Sequence, residues 1–281
     1  MELLLHAGAG KTGSTAIQGF LSRSYDDLIK KGICYPSPND PLSITAGNAE
    51  RIWYFLVQDR ENHAEQFIRQ QVEAANTYGC DRVILSSELL VELDSVHLDK
   101  LKNIFRNFFS IVTPLIYARN PADWAYSAWM QHIKRSAIAE PFETYYKKIA
   151  RAHIPNILRF ATCFENSKIV SYDANKAYLI ESFLEFSCIA FQDLDLSSCQ
   201  TSVNRSLTIK EIELMSDINR IFANPSLSER ISDFLVSTYP DRVPSVCTDK
   251  NICQHILKLN EPELHELNLN FATHGSLILK K

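Results

Sequence analysis

The chain has 281 residues, 46% of them hydrophobic, 22% charged and 10% aromatic, a globular composition that excludes disordered and fibrous classes. Lys and Arg number 29 against 33 Asp and Glu, a formal net charge of −4. That balance leaves no global basic field for nucleic acid or an anionic membrane, so an anionic ligand needs a local pocket.

Seven cysteines (Cys34, Cys80, Cys163, Cys188, Cys199, Cys247 and Cys253) are scattered, with no C-x-x-C and no His pair at metal-ligand spacing, and read as reduced thiols. No apolar run approaches the ~20 residues needed to span a bilayer. Met1 leads into the first strand candidate without a basic leader and cleavage site. A soluble cytoplasmic protein forming one large domain is expected.

Four short apolar runs, at residues 2–6, 82–87, 115–118 and 168–172, alternate with amphipathic stretches. The alternation predicts a three-layer α/β/α fold with a central parallel sheet and crossover helices. After the first run, Ile17, Phe20, Leu21, Leu28 and Ile29 recur near helical spacing, Lys30 and Lys31 occupy the last turn, and Gly32 closes it. Residues 36–48 carry Pro36, Pro38, Pro41 and Gly47, a loop that reads as a surface connection or a lid. Further helices are predicted at 61–77, 96–107, 121–135, 142–150, 155–164, 175–187, 208–222, 226–238 and 250–259, the last ones forming a helical C-terminal cap.

Between the first strand and its helix lies His6-Ala7-Gly8-Ala9-Gly10-Lys11-Thr12-Gly13-Ser14-Thr15. Glycines let backbone N–H groups approach an anion, a helix N-terminus adds partial positive charge, and Lys11 supplies a full one. Gly10-Lys11-Thr12 matches the end of a Walker A loop, but the first glycine of G-x-x-x-x-G-K-[ST] would fall at Leu5. The second strand ends in Ser86-Ser87-Glu88 rather than in the aspartate that usually holds magnesium. An anion cradle of P-loop kind, not an ordinary NTPase, is the reading. His6, at the strand end, reads as a structural residue beneath the loop.

In the third run, Leu115-Ile116-Tyr117-Ala118 leads to Arg119, with Asn120 as helix cap and Pro121 at the first helical position. Arg119 thus projects from the carboxyl edge of the sheet, where ligands of open α/β sheets collect, and Ser127 lies about two turns into the following helix. A guanidinium and a hydroxyl at that spacing can share one phosphate. Arg119 paired with a surface carboxylate and Ser127 as a small packing residue are the alternatives.

Together the two constellations resemble the sulfotransferases that use 3′-phosphoadenosine 5′-phosphosulfate. Lys11-Thr12-Gly13-Ser14-Thr15 is similar to that family's 5′-phosphosulfate loop, and Arg119-Asn120-Pro121 to Ser127 to its 3′-phosphate element. Val203-Asn204-Arg205-Ser206-Leu207 is similar to a segment of bacterial members acting on saccharides or other small acceptors. The resemblance implies a P-loop NTPase-like domain over 1–281, with a nucleotide-binding core at 1–200 and a mainly helical region at 201–281. It implies donor contacts from Gly10, Lys11, Thr12, Gly13, Ser14, Thr15, Arg119 and Ser127, with Arg205 replacing an Arg-Lys-Gly loop that this chain lacks.

The Ser-His element of the cytosolic branch is absent as well, and Glu88 takes the place of a base. Lys11 and Glu88 are thus the catalytic candidates. The implied donor is 3′-phosphoadenosine 5′-phosphosulfate, with no metal required, and the acceptor is a small molecule or saccharide. Trp53, Tyr54, Trp124 and Trp129 are stacking candidates or core, His132 a surface histidine beside Lys134 and Arg135, and His63 and Arg69 candidate acceptor contacts. An atypical small-molecule kinase, or a nucleotide-binding protein without chemistry, is the alternative.

Overall fold

A computed structural model describes residues 1–36, 47–190, 194–196 and 205–271. The strands are β1 (Glu2–His6), β2 (Ile33–Cys34), β3 (Arg82–Ser86), β4 (Ile111–Ala118) and β5 (Lys168–Ser171). The helices run α1 (Ser14–Arg23), α2 (Tyr25–Lys30), α3 (Glu50–Val57), α4 (Glu61–Thr77), α5 (Ser95–Arg106), α6 (Pro121–Arg135) and α7 (Phe142–Ile149). They continue with α8 (His153–Cys163), α9 (Tyr172–Asn175), α10 (Leu179–Phe186), α11 (Ile209–Phe222), α12 (Pro225–Thr238), α13 (Lys250–Leu259) and α14 (Glu261–Asn270). Packing divides the chain into two compact units, Met1–Arg119 with Ile154–Cys199 and Glu263–Lys281, and Asn120–His153 with Gln200–Pro262.

The first unit holds a five-stranded parallel sheet in the order β2-β3-β1-β4-β5. Its strands are short apolar runs whose alternate residues serve opposite faces. Leu3, Leu5, Val83, Leu85, Ile116 and Ile169 share one core with α3, α4, α5, α8 and α14. Leu4, Ile84, Leu115, Tyr117 and Val170 share the other with α1, α2 and α10. The expected three-layer α/β/α architecture with a strand–glycine loop–helix unit at its central strand is thus present.

β1 sends its connection toward β2 on one side, while β4 connects to β5 on the other, so the carboxyl ends of β1 and β4 flank the point where the winding reverses. Open α/β sheets bind ligands at that point.

Several elements differ from expectation. β4 begins at Ile111, which puts Pro114 inside the strand: it pairs with Leu5 of β1, and β5 pairing starts only at Leu115. The missing N–H therefore costs no ladder bond on the β5 side. The first helix is interrupted at Ser24, giving α1 and α2. β2, α3 and α14 were not expected. Most of the 36–48 loop lies outside the described residues. Of its described end, Asn48 is buried and accepts from the Ser86 N–H at 2.7 Å while donating to the carbonyls of Ile84 and Pro36 at 3.0 Å.

The second unit is helical. Ala125, Trp129, Met130 and Ile133 of α6 pack with Phe142, Tyr145 and Tyr146 of α7 and with apolar residues of α11, α12 and α13. Asn120 caps α6 through the Ala122 N–H at 2.9 Å with Pro121 following, as the sequence predicts. Within the region 201–281, Leu264 and Leu267 of α14 belong to the sheet's core and pack with the first unit. Six described cysteines are free thiols, and no helix among the described residues is long and apolar enough to cross a membrane.

Candidate functional site

β1 ends at His6, and the chain turns through residues 7–13 before α1 begins. Lys11 and Gly13 adopt left-handed backbone conformations, at φ 70° and 80°. For Gly13 this is free, and a Cβ there would collide with Cδ2 of Leu179. For Lys11 it costs about 1–2 kcal/mol, strain of the kind found where a loop is shaped for a task. Gly13 precedes α1 without a side chain to cap it, and the first turn holds no acidic residue. The N–H groups at the start of α1 thus receive no cap from the residue before them, the condition that makes a helix start an anion site.

Two side chains brace the loop. Thr12 is fully buried and its hydroxyl donates to the Ala9 carbonyl at 2.5 Å, bracing the turn from inside. Arg119, leaving β4, donates through Nη1 to the Lys11 carbonyl at 3.1 Å, which ties the strained residue to a position 108 residues away. The same guanidinium lies over the Tyr172 ring at 5.4 Å and 3.9 Å from the Asp173 carboxylate. The two loops that sequence reasoning paired therefore meet.

Glu88 follows β3. Its Oε2 is 3.2 Å from the point a Cβ on Gly10 would occupy, so the glycine admits the carboxylate to the loop. Burial pushes the Glu88 pKa above the usual carboxylate range, Ser14 and Lys11 pull against that shift, and Glu92 adds to it. A carboxyl held in that balance beside a lysine suits proton transfer.

Beneath the loop, His6 is fully buried, edge-on to Tyr117 and Phe183. Its Nδ1 is 2.8 Å from the Ser86 hydroxyl, directly opposite on β3, and Gln18 Nε2 donates to that hydroxyl at 3.1 Å. Burial lowers the His6 pKa to about 4, leaving the ring neutral.

The remaining candidates fall elsewhere. Arg205, expected to hold a phosphate, is buried in the second unit with its five N–H groups taken. Nη1 and Nη2 bridge Glu211 at 2.7 and 2.9 Å, and Nε, Nη1 and Nη2 donate to the carbonyls of Tyr239, Ser206 and Leu235. It is a structural arginine, with no donor left for a ligand. Thr12 likewise loses its side-chain role to the Ala9 carbonyl, whereas Thr15 is exposed. Ser127 is half-buried on α6 in the second unit.

Trp124 stacks on His153 at 4.8 Å and Trp129 is core, donating to the Glu140 carbonyl. Tyr54 is exposed, and Trp53 packs on the first core. His132 is exposed as expected, but Lys134 is buried, so the pair is not one solvated face. Arg69 pairs with Glu65 and lies over Phe108, and His63 packs on Phe55. Gln18, Ser86, Tyr172 and Asp173 were missed, although the parallel pairing of His6 with Ser86 follows from aligning the two strand ends.

No family model matches the chain, and neither does a curated protein. Solved structures similar to it include two sulfotransferases. One is a sulfotransferase from Alicyclobacillus acidocaldarius, 15% identical over 81% of this chain and 94% of that one, at a TM-score of 0.44. The other is a sulfotransferase domain from the curacin biosynthetic pathway, 11% identical over 93% and 97%, at 0.43. Similarity at these values leaves the functional reading to the chain's own residues.

Proposed function

We propose that the protein is a sulfotransferase that transfers a sulfuryl group from 3′-phosphoadenosine 5′-phosphosulfate to an acceptor hydroxyl. The observation that carries this reading is the convergence of Lys11, the uncapped start of α1, Arg119 and Glu88 at the carboxyl edge of the sheet. The buried, unpartnered Ser14 Oγ and His6 Nε2 beside the loop are the polar atoms an anion would organise, so the residues present fit such a group.

In this reading, the N–H groups at the start of α1 hold the 5′-phosphate. Lys11 stabilises charge on the bridging oxygen as the sulfuryl group leaves, and a preorganised donor of this kind is worth about 10²–10³ in rate. Sulfuryl transfer is treated as in-line and loose by analogy with phosphoryl transfer, in which positioning and electrostatics do most of the work. Glu88 accepts the acceptor's proton, its burial raising basicity while the Lys11 charge favours the ionised form. Arg119 holds the Lys11 backbone in place and adds positive charge. Ser127 keeps its phosphate role from the sequence resemblance alone, as does the preference for a saccharide or other small acceptor. Transfer of labelled sulfate from the donor to an acceptor panel, lost in Lys11→Ala, tests the reading. Binding of magnesium-ATP alone would replace it with the kinase alternative.

A further inference from the structure

Among the groups around the loop, His6 has a property that neither its burial nor the sulfotransferase reading requires. The Ser86 hydroxyl has one proton, and it accepts a hydrogen bond from Gln18 Nε2. With Gln18 Nε2 donating to that oxygen, His6 Nδ1, at 2.8 Å, is the acceptor within reach of the proton among the described residues, and the buried Gln18 Oε1 makes no bond of its own. A neutral imidazole that accepts at Nδ1 carries its proton on Nε2. Clamped edge-on between Tyr117 and Phe183, the ring holds that orientation.

Nε2 and Ser14 Oγ are both buried and make no hydrogen bond of ordinary geometry, to each other or to another group, although Ser14 lies near enough to Glu88 to favour its ionised form. Both atoms flank one small space, for a Cβ on Gly8 would stand 3.1 Å from His6 Nε2 and 2.5 Å from Ser14 Oγ. An unpaired buried donor beside an unpaired buried hydroxyl is costly, at a place where the loop is otherwise well braced. Ser14 is also the first residue of α1, where an anion would sit. Gly8 keeps the space between them open.

We propose that His6 is a positioning residue for Ser14: when an anion binds at the start of α1, the Ser14 hydroxyl turns from Glu88 to donate to it, and the Ser14 oxygen takes up the free Nε2–H of His6. Gln18, Ser86, His6 and Ser14 then form one directed chain of hydrogen bonds, each donor used once, ending on the anion. The inference rests on the anion-site reading of the loop but not on the identity of the nucleotide.

The test uses the whole protein, with inorganic sulfate and adenosine 3′,5′-bisphosphate as separate probes. Long-range proton–nitrogen spectra, with the His6 signals assigned by their loss in His6→Gln, report the tautomer. An Nε2–H tautomer at neutral pH whose nitrogen resonance moves on sulfate addition is expected, and Ser14→Ala should abolish the movement. His6→Leu should weaken sulfate binding about tenfold, the value of one hydrogen bond of ordinary net strength. His6→Gln, which keeps an N–H near the Nε2 position, should restore most of the loss.

An Nδ1–H tautomer, an unchanged response in Ser14→Ala, or His6→Leu binding as tightly as wild type overturns the inference. Absence of any sulfate binding to wild type overturns it too. If His6→Leu does not fold, the tautomer and Ser14→Ala measurements decide. Sulfate binding that depends on His6, together with failure to bind the bisphosphate, would leave this inference standing and remove the sulfotransferase reading. Bisphosphate binding indifferent to His6 would do the reverse.

Discussion

Replacing Glu211 by Gln tests whether Arg205 is structural. Glu211 is buried and bridges Arg205 through both oxygens; it also accepts from Arg242 at 3.0 Å and from the Thr208 N–H at 2.9 Å, which closes a capping box at the start of α11. Burial alone would raise its pKa, but the bonds from Arg205, Thr208 and Arg242 outweigh it and bring the carboxyl from 4.5 down to about 2. That gap corresponds to about 3 kcal/mol of folding free energy at neutral pH, and breaking a buried pair costs about 3–5 kcal/mol. Because the folded pKa is depressed, the contribution is complete above the unfolded value and is lost as pH falls toward the folded one. Urea denaturation of wild type and Glu211→Gln should therefore differ by about 3 kcal/mol at neutral pH, and the difference should shrink as the solution is acidified through the carboxylate range. Affinity for adenosine 3′,5′-bisphosphate should be unchanged in the folded variant. A variant as stable as wild type with the same pH dependence would refute the reasoning, and a selective loss of nucleotide affinity would return Arg205 to the ligand.

Gly13→Ala meets both a left-handed backbone and Leu179, so melting should report destabilisation of at least about 2 kcal/mol, and sulfate titration a loss of affinity; a wild-type melting temperature would contradict this. Arg119→Ala removes a charged donor from the Lys11 carbonyl and should weaken bisphosphate binding at least about tenfold, with Arg119→Lys a poor substitute because it lacks the planar fork. Calorimetry of both variants checks this, and full rescue by lysine would count against the geometry. In the wild type, burial of Glu88 should place the acid limb of kcat/KM above the usual carboxylate range. Glu88→Gln should abolish that limb and lower kcat about 10²-fold or more while sparing nucleotide affinity; an unchanged pH profile would assign the base elsewhere.

Much of the fold is legible because long apolar patterns decide it. The runs at 2–6, 82–87, 115–118 and 168–172 became β1, β3, β4 and β5. β2 escaped notice because two residues, Ile33 and Cys34, are too few to show a period, and their strand exists through pairing with β3. Pro114 misled in the other direction: a proline reads as a strand start unless the staggered onset of β5 is known. Lys11 and Arg119 could be read because loop chemistry and strand ends leave local signatures.

Arg205 could not be read the same way. Its surroundings assemble from Leu235, Tyr239 and Arg242, and only the Thr208-to-Glu211 capping spacing was local. His6 looked structural, and half of its ring is: Nδ1 is satisfied by Ser86, while the unpartnered Nε2 emerges only from tertiary packing.

The most direct measurement is calorimetric titration of the intact protein with adenosine 3′,5′-bisphosphate in the absence of magnesium, set against ATP with and without it. The account predicts metal-independent binding that requires the 3′-phosphate and falls sharply in Lys11→Ala. Binding of magnesium-ATP alone, or bisphosphate binding that survives Lys11→Ala in a folded protein, would contradict it.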